Sequence, residues 1–138
     1  MQLRVRFAET DQMRIAHHAA YAVWLEAARI EWLRRHGLRY RDLEEEGVSL
    51  AVAALELRYR AAARFDDLLE VDVRLVEARS RRLRFAYGVD RIEEGGARTP
   101  LAAGTTVHVP TTPAGRATRL PERWFAVIAP LAEPAAAR

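Results

Sequence analysis

Between Ala19 and His36 the chain carries a helix-period pattern whose first two turns are apolar nearly all the way round, broken only by Glu26 and Arg29. Ala20, Trp24, Ala28 and Trp32 recur at i, i+4 spacing, with Tyr21 and Leu25 on one flank and Val23, Ala27 and Ile30 on the other. A surface helix keeps a polar face, so this pattern predicts a helix enclosed on several sides. Charge returns only near its end, where Glu31 and Arg35 form an i, i+4 pair of the favourable orientation. Gly37 is placed to take the left-handed residue that closes the helix.

The enclosure must come from the rest of the chain, which reads mostly as strands. Gln2 to Ala8 alternates Leu3, Val5 and Phe7 against polar residues. Val52 to Arg60 sets Leu55, Leu57 and Tyr59 inward, Leu69 to Glu77 sets Leu69, Val71, Val73 and Leu75 inward, and Arg82 to Asp90 sets Leu83, Phe85, Tyr87 and Val89 inward. Ala78 to Arg81 is a hairpin-length link, and Pro100 to Pro110 a fifth strand. Tyr40 to Glu46 adds a helical turn, and Pro121 opens a short helix with Trp124, Phe125, Val127 and Ile128. One long apolar helix followed by antiparallel strands is an α+β fold, with the sheet curled round the helix and a charged outer face.

At 138 residues the chain suits one domain, placed at residues 1–129, with the alanine- and proline-rich residues 130–138 as a fraying tail. No segment reads as a membrane span or a secretory signal, so a cytoplasmic protein is the expectation. Cysteine is absent, which excludes disulfides, thiolate metal sites and a cysteine nucleophile. All 22 basic residues are arginine, which excludes lysine Schiff bases and a P-loop. A formal net charge of +3 is weak support for nucleic-acid binding, and the outward arginines alternate with Glu56, Glu70 and Asp72.

The chemistry gathers in the loop before the long helix, which holds Glu9, Asp11, His17, His18 and then Tyr21. Alone, Asp11 reads as a loop aspartate bonded to its own backbone. Its position adds a second reading. No Ser, Thr, Asn or Asp stands at the expected helix start, so the first N–H groups are left for a negative charge or a polarised carbonyl. A carboxylate beside such a terminus makes the parts of an acyl-transfer site. The adjacent histidines cannot both face it, and metal-ligand spacing is missing. His36 suits the negative end of the helix dipole, and His108, between two valines, is expected to point away from the core. Neither serine lies in a Gly-x-Ser-x-Gly elbow.

The run Glu9-Thr10-Asp11-Gln12-Met13, with Ile15, His18, Tyr21, Trp24, Glu26 and Ala28-Arg29, resembles the hotdog-fold acyl-CoA thioesterases of the 4-hydroxybenzoyl-CoA thioesterase-like group. Ala63 to Leu69 supports the same resemblance, and the order of elements agrees over residues 2–112. The resemblance implies a long central helix wrapped by a five-stranded antiparallel sheet, in a homodimer at least, with dimers pairing into tetramers. It implies an acyl-CoA substrate and no cofactor or metal. Asp11 would be the catalytic nucleophile or general base, and the backbone N–H at His18 would polarise the thioester carbonyl. Tyr21 would contact substrate, and Arg79, Arg81 and Arg82 the CoA phosphates. Many relatives carry glycine at the position of Arg14 and tyrosine at that of His17. A hotdog protein that binds acyl-CoA without cleaving it is the alternative; a carrier-dependent dehydratase is weaker.

Overall fold

The computed structural model describes residues 1–133; residues 134–138 lie outside the described residues. Five strands form one antiparallel sheet: β1 (Gln2–Arg4), β2 (Ser49–Tyr59), β3 (Leu68–Arg79), β4 (Arg82–Ile92) and β5 (Arg98–Thr111), in the order β1-β3-β4-β5-β2. The long helix α1 (His18–Arg35) lies in the concave side of that sheet, followed by α2 (Tyr40–Glu45), and α3 (Glu122–Ile128) comes after the last strand. This is the hotdog arrangement the sequence resembles.

The core follows the alternation of β3 and β4. Leu69, Val71 and Leu75 of β3 and Leu83, Phe85 and Val89 of β4 are at most 1% exposed. Against them α1 sets Trp24, Leu25, Ala28 and Leu33, and the Trp32 ring meets Phe85 edge-on at 5.4 Å. Gly37 takes φ +78°, and Leu38 N–H returns to the Leu33 carbonyl, closing α1 as expected.

Three expectations change. The first strand ends at Arg4, because the Glu9 carboxylate accepts the Arg6 N–H at 2.7 Å and winds Phe7–Glu9 into a 3-10 turn. Phe7 is thereby left 75% exposed. Residues 130–133 do not fray: Leu131 and Ala132 pack against the core, and Glu133 N–H donates to the Leu75 carbonyl at 2.7 Å. The third change concerns α1, which is enclosed on one side only, leaving Ala22, Val23 and Ala27 exposed.

That one-sided burial reaches the sheet. β2 is an edge strand, and α1 lies over β3 and β4 rather than over it. Leu55 and Tyr59 do face the concave side, beside Thr106 and Ala102 of β5, but they are 45% and 51% exposed. Val52 and Val23 are exposed with them. An apolar seam therefore runs along the molecule between α1 and β2.

β2 is held close to β5 at Gly104. A Cβ there would lie 2.3 Å from the Glu56 carbonyl oxygen, which no side-chain motion relieves. Gly104→Ala should therefore push β2 outward and cost about 1–3 kcal/mol, the usual range for overpacking. Urea unfolding monitored by tryptophan fluorescence measures it; an unchanged midpoint would mean that β2 moves aside freely.

Candidate active site

The loop ahead of α1 is fixed by backbone bonds at both ends. Asp11 N–H donates to Ile15 O at 2.9 Å, Arg14 N–H to Asp11 O at 2.9 Å, and Ala16 N–H to Ala63 O at 2.8 Å. The tight turn between requires a left-handed residue, and Arg14 takes it at φ +63°. For a residue with a Cβ that conformation costs about 1–2 kcal/mol, which accounts for glycine being the easier choice at this point.

Glu9 ties this loop to the helix. Its carboxylate accepts the Trp24 indole N–H at 2.7 Å as well as the Arg6 N–H, while its carbonyl accepts the His17 N–H at 2.7 Å. Burial acts to raise the Glu9 carboxyl, but the Arg6 N–H, the Trp24 indole and the Arg6 guanidinium outweigh it and hold it below the usual carboxylate range. The sequence reading placed Glu9 in the motif without giving it work; its signal is a carboxylate fifteen positions ahead of a buried tryptophan, and only the fold connects them.

The helix start differs from expectation in one respect. His17 is the cap: its Nδ1 accepts the Ala19 N–H at 3.1 Å, and its ring stacks on His18 with centroids 4.1 Å apart. Ala20 N–H is taken by the His17 carbonyl. The His18 N–H, the first of the helix, meets no acceptor among the described residues. The two histidines thus divide, one capping the helix and one leaving its N–H unpaired among the described residues.

Asp11 makes the local turn first considered for it, with Oδ1 accepting the Met13 N–H at 2.8 Å. Its other oxygen is free of protein partners among the described residues, and Asp11 borders a cleft of about 370 Å³ lined also by Met13, His18, Tyr21, Tyr59 and Arg60. Tyr21 forms the floor, 2% exposed, edge-on to the Tyr59 ring at 5.0 Å. Burial raises its phenol above the ordinary value, opposed by the Ala63 backbone, so it stays neutral. Tyr59 and Arg60 are not apparent as site residues in the sequence, because they stand at and just past the far end of β2. Among the described residues no three His, Cys, Asp or Glu side chains cluster as a metal site would require, and no helix is long and apolar enough to cross a membrane.

Arg79, Arg81 and Arg82 do not join this cleft within one chain. Tyr59 is level with Ala102, Val89 and, on β3, Val71. From Val71 to the turn at Arg79 the strand runs about 25 Å, at roughly 3.3 Å per residue, toward the opposite end of the sheet. There Arg79 and Arg82 lie 3.7 and 3.3 Å from Glu77.

The family model described as the thioesterase-like superfamily matches residues 5–127. The chain belongs to that superfamily. It is 33% identical over 91 residues to the acyl-CoA thioester hydrolase YbgC of Escherichia coli, covering 66% of this chain and 68% of that protein. Among solved structures it is similar to a hypothetical protein of Thermus thermophilus, 45% identical with a TM-score of 0.86, over 95% of this chain and 97% of the other. The DHNA-CoA thioesterase of Staphylococcus aureus shares the fold at 23% identity and a TM-score of 0.87, over 94% of this chain and 87% of that one.

His108 corrects the sequence reading outright. It is 0% exposed and faces the helix, with Nε2 bonded to Thr106 Oγ1 at 2.7 Å. Thr106 meets the Tyr87 hydroxyl at 2.6 Å, and that hydroxyl accepts from Arg29 at 3.1 Å. Burial, then the Arg29 charge, pushes the His108 imidazole down to about 4, opposed by the Leu50 backbone. It is neutral at physiological pH.

The lowered Glu9 carboxyl makes a prediction with a definite sign. Its contribution to stability is present above the unfolded value of about 4.3 and is lost as pH falls through the lower folded value. Glu9→Gln should cost about 1 kcal/mol at pH 7, the difference between charged and neutral hydrogen bonds. Its deficit should shrink toward zero below pH ~4. Unfolding midpoints of both proteins from pH 3 to 8 would display this; a deficit constant across that range would remove the charge from the argument.

Proposed function

We propose that the protein hydrolyses an acyl-CoA thioester to the free acid and CoA. The observation that carries this is the free Asp11 oxygen sharing a cleft with the unbonded N–H at the positive end of an 18-residue helix. A thioester carbonyl accepting the His18 N–H would have its developing negative charge met by a donor and dipole already in place. Asp11 then acts in one of two ways. As base it takes a proton from water while the oxygen of that water adds to the carbonyl carbon. As nucleophile it adds directly, and water hydrolyses the resulting anhydride. In both routes the C–S bond breaks as the tetrahedral centre collapses, and the CoA thiolate leaves with the bonding pair. Tyr21, neutral and rigid, forms the wall against which the acyl group rests. The name of the E. coli relative supports the same chemistry.

A second copy of the chain completes the site in this reading. The uncovered edge of β2 and the exposed Val23, Val52, Leu55 and Tyr59 form an unpaired strand edge with an apolar margin. Antiparallel pairing of two β2 edges would bring the partner copy's β3–β4 turn toward this cleft. That offers Arg79, Arg81 and Arg82 a route to the CoA phosphates that one chain does not provide. Tetramers would form from such dimers.

Asp11→Asn should fold as the wild type and lose turnover by about 100-fold or more, in the range for an essential acid or base. Release of CoA thiol from a panel of aryl-, short- and long-chain acyl-CoAs measures it, and the absence of cysteine keeps the dye background low. Turnover equal to wild type would remove Asp11 from the mechanism. A panel without turnover, in which CoA esters still bind, would favour the ligand-binding reading.

Sedimentation at micromolar concentration should give a dimer or larger assembly. Leu55→Asp should shift it to monomer and lose hydrolysis together. A wild-type monomer that hydrolyses CoA esters would overturn the two-copy site.

A further inference from the structure

The seam between α1 and β2 has two ends, and the second is as polar as the first. β2 runs antiparallel to α1, so Tyr59 lies by Tyr21 at the Asp11 cleft and Leu50 lies by Leu33 at the other end. At that other end is a more enclosed pocket of about 160 Å³, lined by Glu26, Arg29, Leu33, Tyr40, Leu50 and Val52. Arg29 is 8% exposed, and the Tyr87 hydroxyl is its one side-chain hydrogen-bond partner among the described residues. A guanidinium has five N–H donors, so four remain for a ligand.

Behind Arg29 the sheet offers hydroxyls and a neutral ring rather than a counter-charge. The Tyr87 hydroxyl, which accepts from Arg29, also meets Thr106 Oγ1, and Thr106 in turn meets His108 Nε2. This leaves His108 Nδ1 as a wholly buried polar atom without a well-formed hydrogen bond. A buried cation without a carboxylate is costly, and an anion in the pocket would offset that cost. Glu26 lines the pocket but forms no ion pair with Arg29 among the described residues.

The spacing sets the length of the ligand. From His18 to Arg29 the helix rises about 16 Å at roughly 1.5 Å per residue. A helical side chain leans back over the preceding turn, which brings the guanidinium to about 11 Å from the helix start. An extended chain advances roughly 1.2 Å per bond, so about nine bonds span the interval. We propose that this second pocket takes the far end of the acyl group and that Arg29 recognises a carboxylate there, making monothioesters of medium-length dicarboxylic acids the preferred substrates. The proposal rests on the Asp11 cleft being the thioester site.

The test compares two series of CoA esters of six to twelve carbons, one ending in methyl and one in carboxylate. Wild type should favour the carboxylate-ended ester by about 10–100-fold in kcat/KM at one chain length, as expected for a charge-assisted hydrogen bond. Arg29→Met should abolish the ratio between the two series, and Arg29→Lys should keep part of it. A wild-type ratio near one at every length overturns the proposal while leaving thioester hydrolysis intact. Hydrolysis of neither series overturns the reading of the cleft itself. Should Arg29→Met fail to fold, the wild-type ratio still decides. A second readout needs no turnover: sebacate, added as the free acid, should shift the His108 ring resonances, whereas octanoate should not. Equal effects of the two acids, or none, would count against Arg29 as a carboxylate site and for Glu26 or water as its occupant.

Discussion

A single helix cannot cover a curled five-stranded sheet. Five strands about 4.8 Å apart make a surface roughly 20–25 Å across, against about 10 Å for one helix with its side chains. α1 spends its buried stripe on β3 and β4, where Trp24, Leu25 and Ala28 meet Leu69, Val71 and Phe85. β2 therefore keeps Val52, Leu55 and Tyr59 about half exposed, while the inward Ala102, Thr106 and His108 of β5 are buried. Both candidate pockets lie along that exposed margin of β2. The Asp11 cleft occupies one end, the Arg29 pocket the other, and exposed apolar side chains join them.

The position of α1 along its own axis depends on a few polar bonds at its start. Trp24 is buried as part of the stripe, and its indole N–H must find an acceptor. Glu9 supplies one, and through Arg6 and His17 the same residue fixes the turn that carries Asp11. The left-handed Arg14 then turns the chain back so that Asp11 and His18 face the same space. Core packing thus sets the height of the helix terminus, while the Glu9 bonds set the carboxylate relative to it. Strain at Arg14 is tolerated because the bonds on both sides determine the loop.

What could be read from the sequence follows which faces are fully covered. β3 and β4 were legible because burial and alternation agree there, down to Leu69 and Phe85. The helix, its glycine stop and the nearness of Asp11 to the helix start were legible because they are local. Covering failed as a guide on β2, where Leu55 and Tyr59 point inward but stay about half exposed, even though Tyr59 meets the Tyr21 ring. Distance failed at Arg79 to Arg82: chain order does not reveal that their turn lies at the far end of the sheet. Caps failed at His17, since an imidazole acceptor is an uncommon substitute for a hydroxyl or carboxylate.

His108 is the most instructive failure, because the rule that failed was hydrophobicity itself. On β5 the inward positions are Ala102, Gly104, Thr106 and His108, whereas Val107 and Val109 point outward. A strand selected only for stability would have the opposite arrangement, since valines inward would bury more apolar surface and leave no polar atom to satisfy. Replacing a buried polar network by apolar groups is often neutral or stabilising, so stability alone does not account for this one. Its members are all more than nine-tenths buried between α1 and the sheet, and the charged one borders a pocket. The departure from pattern therefore runs from a buried imidazole to Arg29 beside a pocket, the kind of place where local rules yield to other demands.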